Sequence, residues 1–161
     1  MLFRSGITTS IGVLHFIENT ENFLIIDIGG RSTEFIYEFE NKIISKSLNL
    51  GVVTLSEKYF SNLPIGQELI DEAKLKIETE LSQLDIKDKK NVIGVSGTAL
   101  SLASIFLDQQ NFNEEELHEI KIDTDNVQEI NKRILKMTEA EIITKFRGID
   151  PKRAQIGRAH V

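Results

Sequence analysis

The clearest feature of the chain is a change of hydrophobic period part-way along it. From Phe23 the text runs FLIIDIGG RSTEFIYEFE NKIISKSLNL, three β-rich stretches separated by a glycine pair and by Glu40-Asn41, which predicts an antiparallel meander. The first stretch, Phe23 to Ile28, is apolar almost throughout, as a strand buried on both faces must be. In the second, Phe35, Tyr37 and Phe39 alternate with Glu34, Ile36, Glu38 and Glu40, the pattern of a strand with one wet face. After Gly51 the spacing becomes helical. Leu69, Ile70, Ala73, Ile77, Leu81 and Leu84 mark an amphipathic helix over Gln67 to Leu84, with Glu68, Asp71 and Glu72 at the positive end of its dipole.

The run KDKK from Lys87 to Lys90 reads as a solvated turn. Asn91 to Val95 is a short apolar strand, and Gly94-Val-Ser-Gly-Thr-Ala leads straight into a helix over Ala99 to Leu107. Leu117 to Ile122 predicts another strand, and Asn126 to Met137 and Glu139 to Phe146 predict two helices, split at Thr138 as N-cap. The class is α/β: one mixed sheet of five-stranded type, with an antiparallel hairpin and packed helices.

Composition narrows the chemistry. The 161 residues suffice for one domain and not for two lobes with a cleft between them. There is no Cys, which removes disulfides, zinc-thiolate sites and thiol nucleophiles together. The net charge of −6 argues against bulk attraction to nucleic acid or an anionic membrane, so an anionic ligand needs a local site. No apolar run approaches the roughly 20 residues that span a bilayer, and MLFRSG does not open a signal peptide, so the expected location is cytoplasmic.

Two segments stand out, DIGGRSTEF at Asp27 to Phe35 and GVSGTALSLA at Gly94 to Ala103. In the first, an apolar strand ends in an acid and reverses through Gly29 and Gly30, which leaves turn amides free to cradle a phosphate. Asp27 at the end of a buried strand needs a partner, and Mg²⁺ held beside phosphates suits it. Glu34 lies seven residues on. A hairpin that folds back can bring the two carboxylates to one end of the sheet, where they would bind metal or position a water. A plain β-turn capped by Asp27 accounts for the first segment equally well. In the second, Ser96, Gly97 and Thr98 open a helix whose unpaired amides favour an anion; the plainer reading makes Ser96 or Thr98 an ordinary N-cap. His15 and His118 read as surface or half-buried residues rather than ligands.

Taken together, these segments resemble the exopolyphosphatase/guanosine-pentaphosphate phosphohydrolase (Ppx/GppA) family. DIGGRSTEF is similar to its DIGGGSTE signature, SLNLGVVTLSEKYF to its SxxxGxVxLxExF segment, GVSGTALSLA to its SGT loop, and FRGIDPKRAQ to its GLxxxRAD segment, all in the same order. The resemblance implies one lobe of the actin-like ATPase fold shared by sugar kinases, heat-shock ATPases and actin. It implies removal of terminal phosphate from inorganic polyphosphate or guanosine pentaphosphate, with Mg²⁺ and an attacking water. By position, Asp27 and Glu34 become the acidic metal- or water-facing residues. Gly29, Gly30, Arg31, Ser32 and Thr33 become the phosphate-binding hairpin, and Ser96, Gly97 and Thr98 the second loop.

The chain also departs from that pattern. Arg31 stands where the family has a third glycine, so it is expected to accept a glycine's backbone geometry while offering its guanidinium to phosphate. The resemblance places the family's first lobe and its glutamate-bearing segment before the point where this sequence starts, at MLFRSGITTSIGVLHF, so Met1 is expected to be an internal codon and the chain nearly inactive alone. Residues 1–155 are then part of the second lobe, incomplete at its C-terminal edge. Ile156 to Val161, IGRAHV, matches a reading frame of a common sequencing adapter and is expected to carry no biology. A homodimer of the parent protein fits the resemblance. Two other readings are a kinase or ATPase of the same superfamily, and a non-catalytic phosphate- or nucleotide-binding module.

Overall fold

A strand apolar up to its acidic end requires cover on both sides, and β1 (Phe23–Ile28) has it over Phe23, Leu24 and Ile25. In a computed structural model that describes residues 22–59, 66–117 and 120–147, Leu24 joins a cluster with Phe35, Tyr37 and Leu84 on one face of the sheet. Phe23 and Ile25 join Ile36, Ile93 and Val95 on the other. His15, His118, His160 and the tail from Ile156 lie outside the described residues.

β1 pairs antiparallel with β2 (Thr33–Phe39), and β2 with β3 (Lys42–Leu48). The turn between β2 and β3 places Glu40 and Asn41 at φ 48° and 59°, the left-handed pair of a type I′ hairpin. β4 (Asn91–Val95) lies parallel to β1 on its other side, which gives the order β3-β2-β1-β4 among the described residues. This is the predicted mixed sheet, with four strands described.

The helices are α1 (Val52–Tyr59), α2 (Gln67–Leu81), α3 (Ser96–Phe106), α4 (Thr124–Ile134) and α5 (Glu139–Lys145), with a 3₁₀ turn at Glu114–Leu117. α2 buries Ile70 and Ala73 and stops three residues short of Leu84, which enters the core from the turn that follows. α3 lies against β1 and β4 and starts at Ser96, earlier than the apolar run alone suggests. α5 has the predicted cap: Thr138 and Glu141 form a reciprocal capping box. Among the described residues no helix is long and apolar enough to cross a membrane.

Three expectations are corrected. β2 does not have one wet face: Ile36 is 2% exposed because it pairs with Ile25 mid-sheet, whereas Phe39 is 40% exposed because β1 has ended beside it. The described residues of the expected strand over Leu117 to Ile122 are not in a strand. Leu117 closes the 3₁₀ turn, Ile120–Ile122 have no regular structure, and Asp123 caps α4 by accepting from the Asn126 N–H at 2.8 Å, so that helix begins at Thr124. Lys89 of the KDKK run is half-buried and donates to the Glu38 carbonyl, its ammonium 5.9 Å from the centre of the Tyr37 ring.

Candidate functional site

The hairpin register sets the site. Gly29 N–H donates to the Ser32 carbonyl at 2.9 Å and closes a turn whose flanking pair is Ile28 and Thr33, so Asp27 stands directly opposite Glu34. Paired residues share a face, with Cβ atoms about 4.5–5.5 Å apart. Both carboxylates are therefore neighbours at one end of the sheet. Asp27 is half-buried, and its side chain has no partner among the described residues. Glu34 is held: its Oε1 accepts from Ser32 Oγ at 2.7 Å and from Ser47 Oγ at 3.0 Å. Ser47 is the register partner of Glu34 on β3 and was absent from the sequence-derived candidates.

The turn is oriented by α1. The Gly29 carbonyl accepts from Val52 N–H at 3.0 Å, the Gly30 carbonyl from Val53 N–H at 2.7 Å, and the Arg31 carbonyl from Thr54 Oγ1 at 3.1 Å. In a trans peptide the N–H points opposite to the C=O. Three carbonyls directed at α1 therefore aim the N–H groups of Gly30, Arg31 and Ser32 away from it, and none has an acceptor among the described residues. Successive unpaired amides of this kind form an anion-binding concavity. Arg31 is exposed and without an ion-pair partner among the described residues. Its φ is not in the left-handed region, so the turn accepts an arginine without a glycine's freedom.

Thr33 does not face the concavity. It is buried, lies on the sheet face opposite Glu34, and donates its hydroxyl to the Leu50 carbonyl at 2.5 Å. It fastens the hairpin to the segment between β3 and α1.

The second loop arrives beside the first because β4 runs parallel to β1, with Val95 level with Asp27. Ser96 takes a left-handed φ of 63°, and the strand passes into α3 with no intervening loop. A non-glycine residue in that region carries about 1–3 kcal/mol of strain and persists only where its surroundings hold it. Neither Ser96 nor Thr98 is the N-cap. That position is Val95, which has no capping side chain, so the first amides of α3 keep their capacity for an anion. Thr98 Oγ1 donates instead to the Ile28 carbonyl at 2.9 Å and ties the two loops together. Gly97 is buried within the helix start, and a Cβ on Gly94 would stand 2.9 Å from that of Ala99, so the helix packs onto its own strand.

The profile of the Ppx/GppA phosphatase family matches residues 6–161. The chain belongs to that family. Among curated relatives it is 31% identical, over 145 residues, to the bifunctional 3-dehydroquinate synthase/phosphatase of Fusobacterium nucleatum, covering 84% of this chain and 21% of that protein. It is 34% identical, over 104 residues, to the guanosine-5'-triphosphate,3'-diphosphate pyrophosphatase of Pseudoalteromonas atlantica, covering 62% and 21%. The Ppx/GppA enzyme of Aquifex aeolicus superposes with a TM-score of 0.79 at 23% identity, covering 91% of this chain and 49% of that one. An exopolyphosphatase-like protein gives 0.77 at 22%, covering 87% and 47%. The chain thus spans about a fifth of the curated relatives and half of these solved structures, and has the actin-like fold of a single Ppx/GppA lobe.

Proposed function

We propose that this lobe is the phosphate-holding half of a phosphoanhydride hydrolase that releases terminal phosphate from inorganic polyphosphate or guanosine pentaphosphate. The observation that carries the reading is the meeting at one sheet end of three turn amides unpaired among the described residues, a helix start without a capping side chain and the Asp27–Glu34 pair. The amides of Gly30, Arg31 and Ser32 take phosphoryl oxygens, the first turn of α3 takes those of a neighbouring group, and the Arg31 guanidinium adds positive charge. Donors fixed by α1 and by the Thr98–Ile28 bond need no reorganisation as charge develops on those oxygens.

Two neighbouring carboxylates, one without a partner among the described residues, fit Mg²⁺, which takes one or two carboxylates and fills its remaining positions with water and phosphate oxygens. Asp27 and Glu34 would hold the ion, which when bound neutralises charge on the phosphoryl oxygens. In this reading, which follows the resemblance, a glutamate of the facing lobe is the base for the attacking water, and holding that water in line with the bound phosphate needs both lobes. The 161-residue chain alone then binds phosphate without turnover.

The test is phosphate release from polyphosphate and from guanosine pentaphosphate by the protein translated from the full genomic reading frame around this segment. Release that Asp27→Asn lowers at least about a hundredfold, as loss of an electrostatic contact at the reacting group does, supports the reading. An Asp27→Asn protein as active as the wild type, or a wild type that hydrolyses neither substrate, overturns it.

A further inference from the structure

Among the described residues Glu34 is held through one oxygen. Ser32 reaches Oε1 from the turn and Ser47 reaches the same atom from the adjacent strand. A carboxylate oxygen offers about two lone-pair positions, so two hydroxyl donors fill Oε1 and leave Oε2 as the oxygen open to a ligand. One donor would still let the carboxyl group swing; two, one from the turn and one from β3, hold it from both sides. Ser47 has no packing reason to be where it is. It is exposed on an edge strand, where β-branched or charged residues suit better, and its side chain has one bond among the described residues, the bond to Glu34.

We propose that Ser47 is a positioning residue for Glu34: with Ser32 it saturates Oε1 and so presents Oε2, beside Asp27, as a metal-holding oxygen. The proposal rests on the reading of Asp27 and Glu34 as the metal pair. Groups that orient a ligand in this way change metal affinity about 10–100-fold when removed. Ser47 lies outside the turn itself and contributes no amide to the concavity, so its removal acts on the metal and leaves the phosphate cradle intact.

The experiment is a titration of the 161-residue chain with Mn²⁺ alone, free ion being read from its paramagnetic resonance signal, for wild type, S47A, S47T, E34Q and D27N, with melting temperatures alongside. The expected result is S47A about tenfold weaker than wild type at unchanged melting temperature, S47T close to wild type because the hydroxyl survives, and E34Q and D27N weaker still. If S47A binds Mn²⁺ as wild type does while E34Q is weakened, the positioning role is wrong and the metal pair stands. If S47T is as weak as S47A, the effect does not belong to the hydroxyl, and the proposal fails. If E34Q and D27N match wild type, or wild type binds no Mn²⁺, the metal reading itself falls and takes the proposal with it.

Discussion

Gly51 lies against the backbone of Arg31 with no room for a side chain: a Cβ there would stand 2.3 Å from the Arg31 carbonyl carbon and 2.4 Å from its Cα. The obstacle is backbone on both sides, so neither partner can rotate away. Gly51→Ala is expected to destabilise the lobe by about 1–3 kcal/mol, the usual range for overpacking. It also pushes the turn off α1, whose first N–H groups hold the Gly29 and Gly30 carbonyls. Urea denaturation gives the stability, and tripolyphosphate affinity gives the turn. Unchanged stability in the Gly51→Ala variant would mean the approach is looser than the structure has it.

Glu141 makes the last helix sensitive to acid. Its carboxylate accepts from the Thr138 backbone N–H at 2.7 Å and the Thr138 hydroxyl at 2.9 Å; these bonds, the backbone one first, hold its pKa below the ordinary glutamate value. A folded pKa below the unfolded one adds stability that is fully present above the unfolded value, near 4.3, and is lost as pH falls through the folded value. The helical amide signals of Ile142 and Thr144 are therefore expected to hold from neutrality to about 4.3 and to weaken at lower pH. Glu141→Gln keeps a capping side chain and removes the pH dependence. A carboxyl titration at or above the ordinary value would show that the box does not form in solution.

The hairpin half of the site was legible because turns fix register. A two-residue turn at Glu40-Asn41 pairs Phe39 with Lys42 and, counting back, Glu34 with Ser47, so Ser47 was within reach of the same reasoning that paired Asp27 with Glu34. What could not be read was set by contacts distant in sequence. Thr33 is a phosphate ligand only by the resemblance to the DIGGGSTE signature; period-2 alternation puts it on the other face, and the fold shows Leu50 waiting there. The role of Thr98 likewise depends on β4 lying parallel to β1, a long-range pairing with no local signature. α1 was missed because it is eight residues long and takes its N-terminal hydrogen-bond partners from a turn more than twenty residues earlier.

Arg31 supplies the last and most direct test of the phosphate cradle. A glycine at this place would leave three amides to hold the anion; the arginine adds a planar, permanently charged group with no competing carboxylate bond among the described residues. Because its φ is ordinary, Arg31→Gly removes the guanidinium without relieving strain, so stability falls only by the glycine entropy cost of roughly 0.5–1 kcal/mol. A charge-assisted hydrogen bond contributes about 1.5–3 kcal/mol, so tripolyphosphate binding to the 161-residue chain, measured calorimetrically with EDTA present, is expected to weaken by tenfold or more. The salt dependence of binding should become shallower in the same variant, since one fewer cation meets the anion. Arg31→Lys keeps the charge and loses the fork, which places it between the two. If wild type and Arg31→Gly bind tripolyphosphate equally in EDTA, the guanidinium faces solvent and the amides alone form the cradle; if neither binds, the cradle is not an anion site at all.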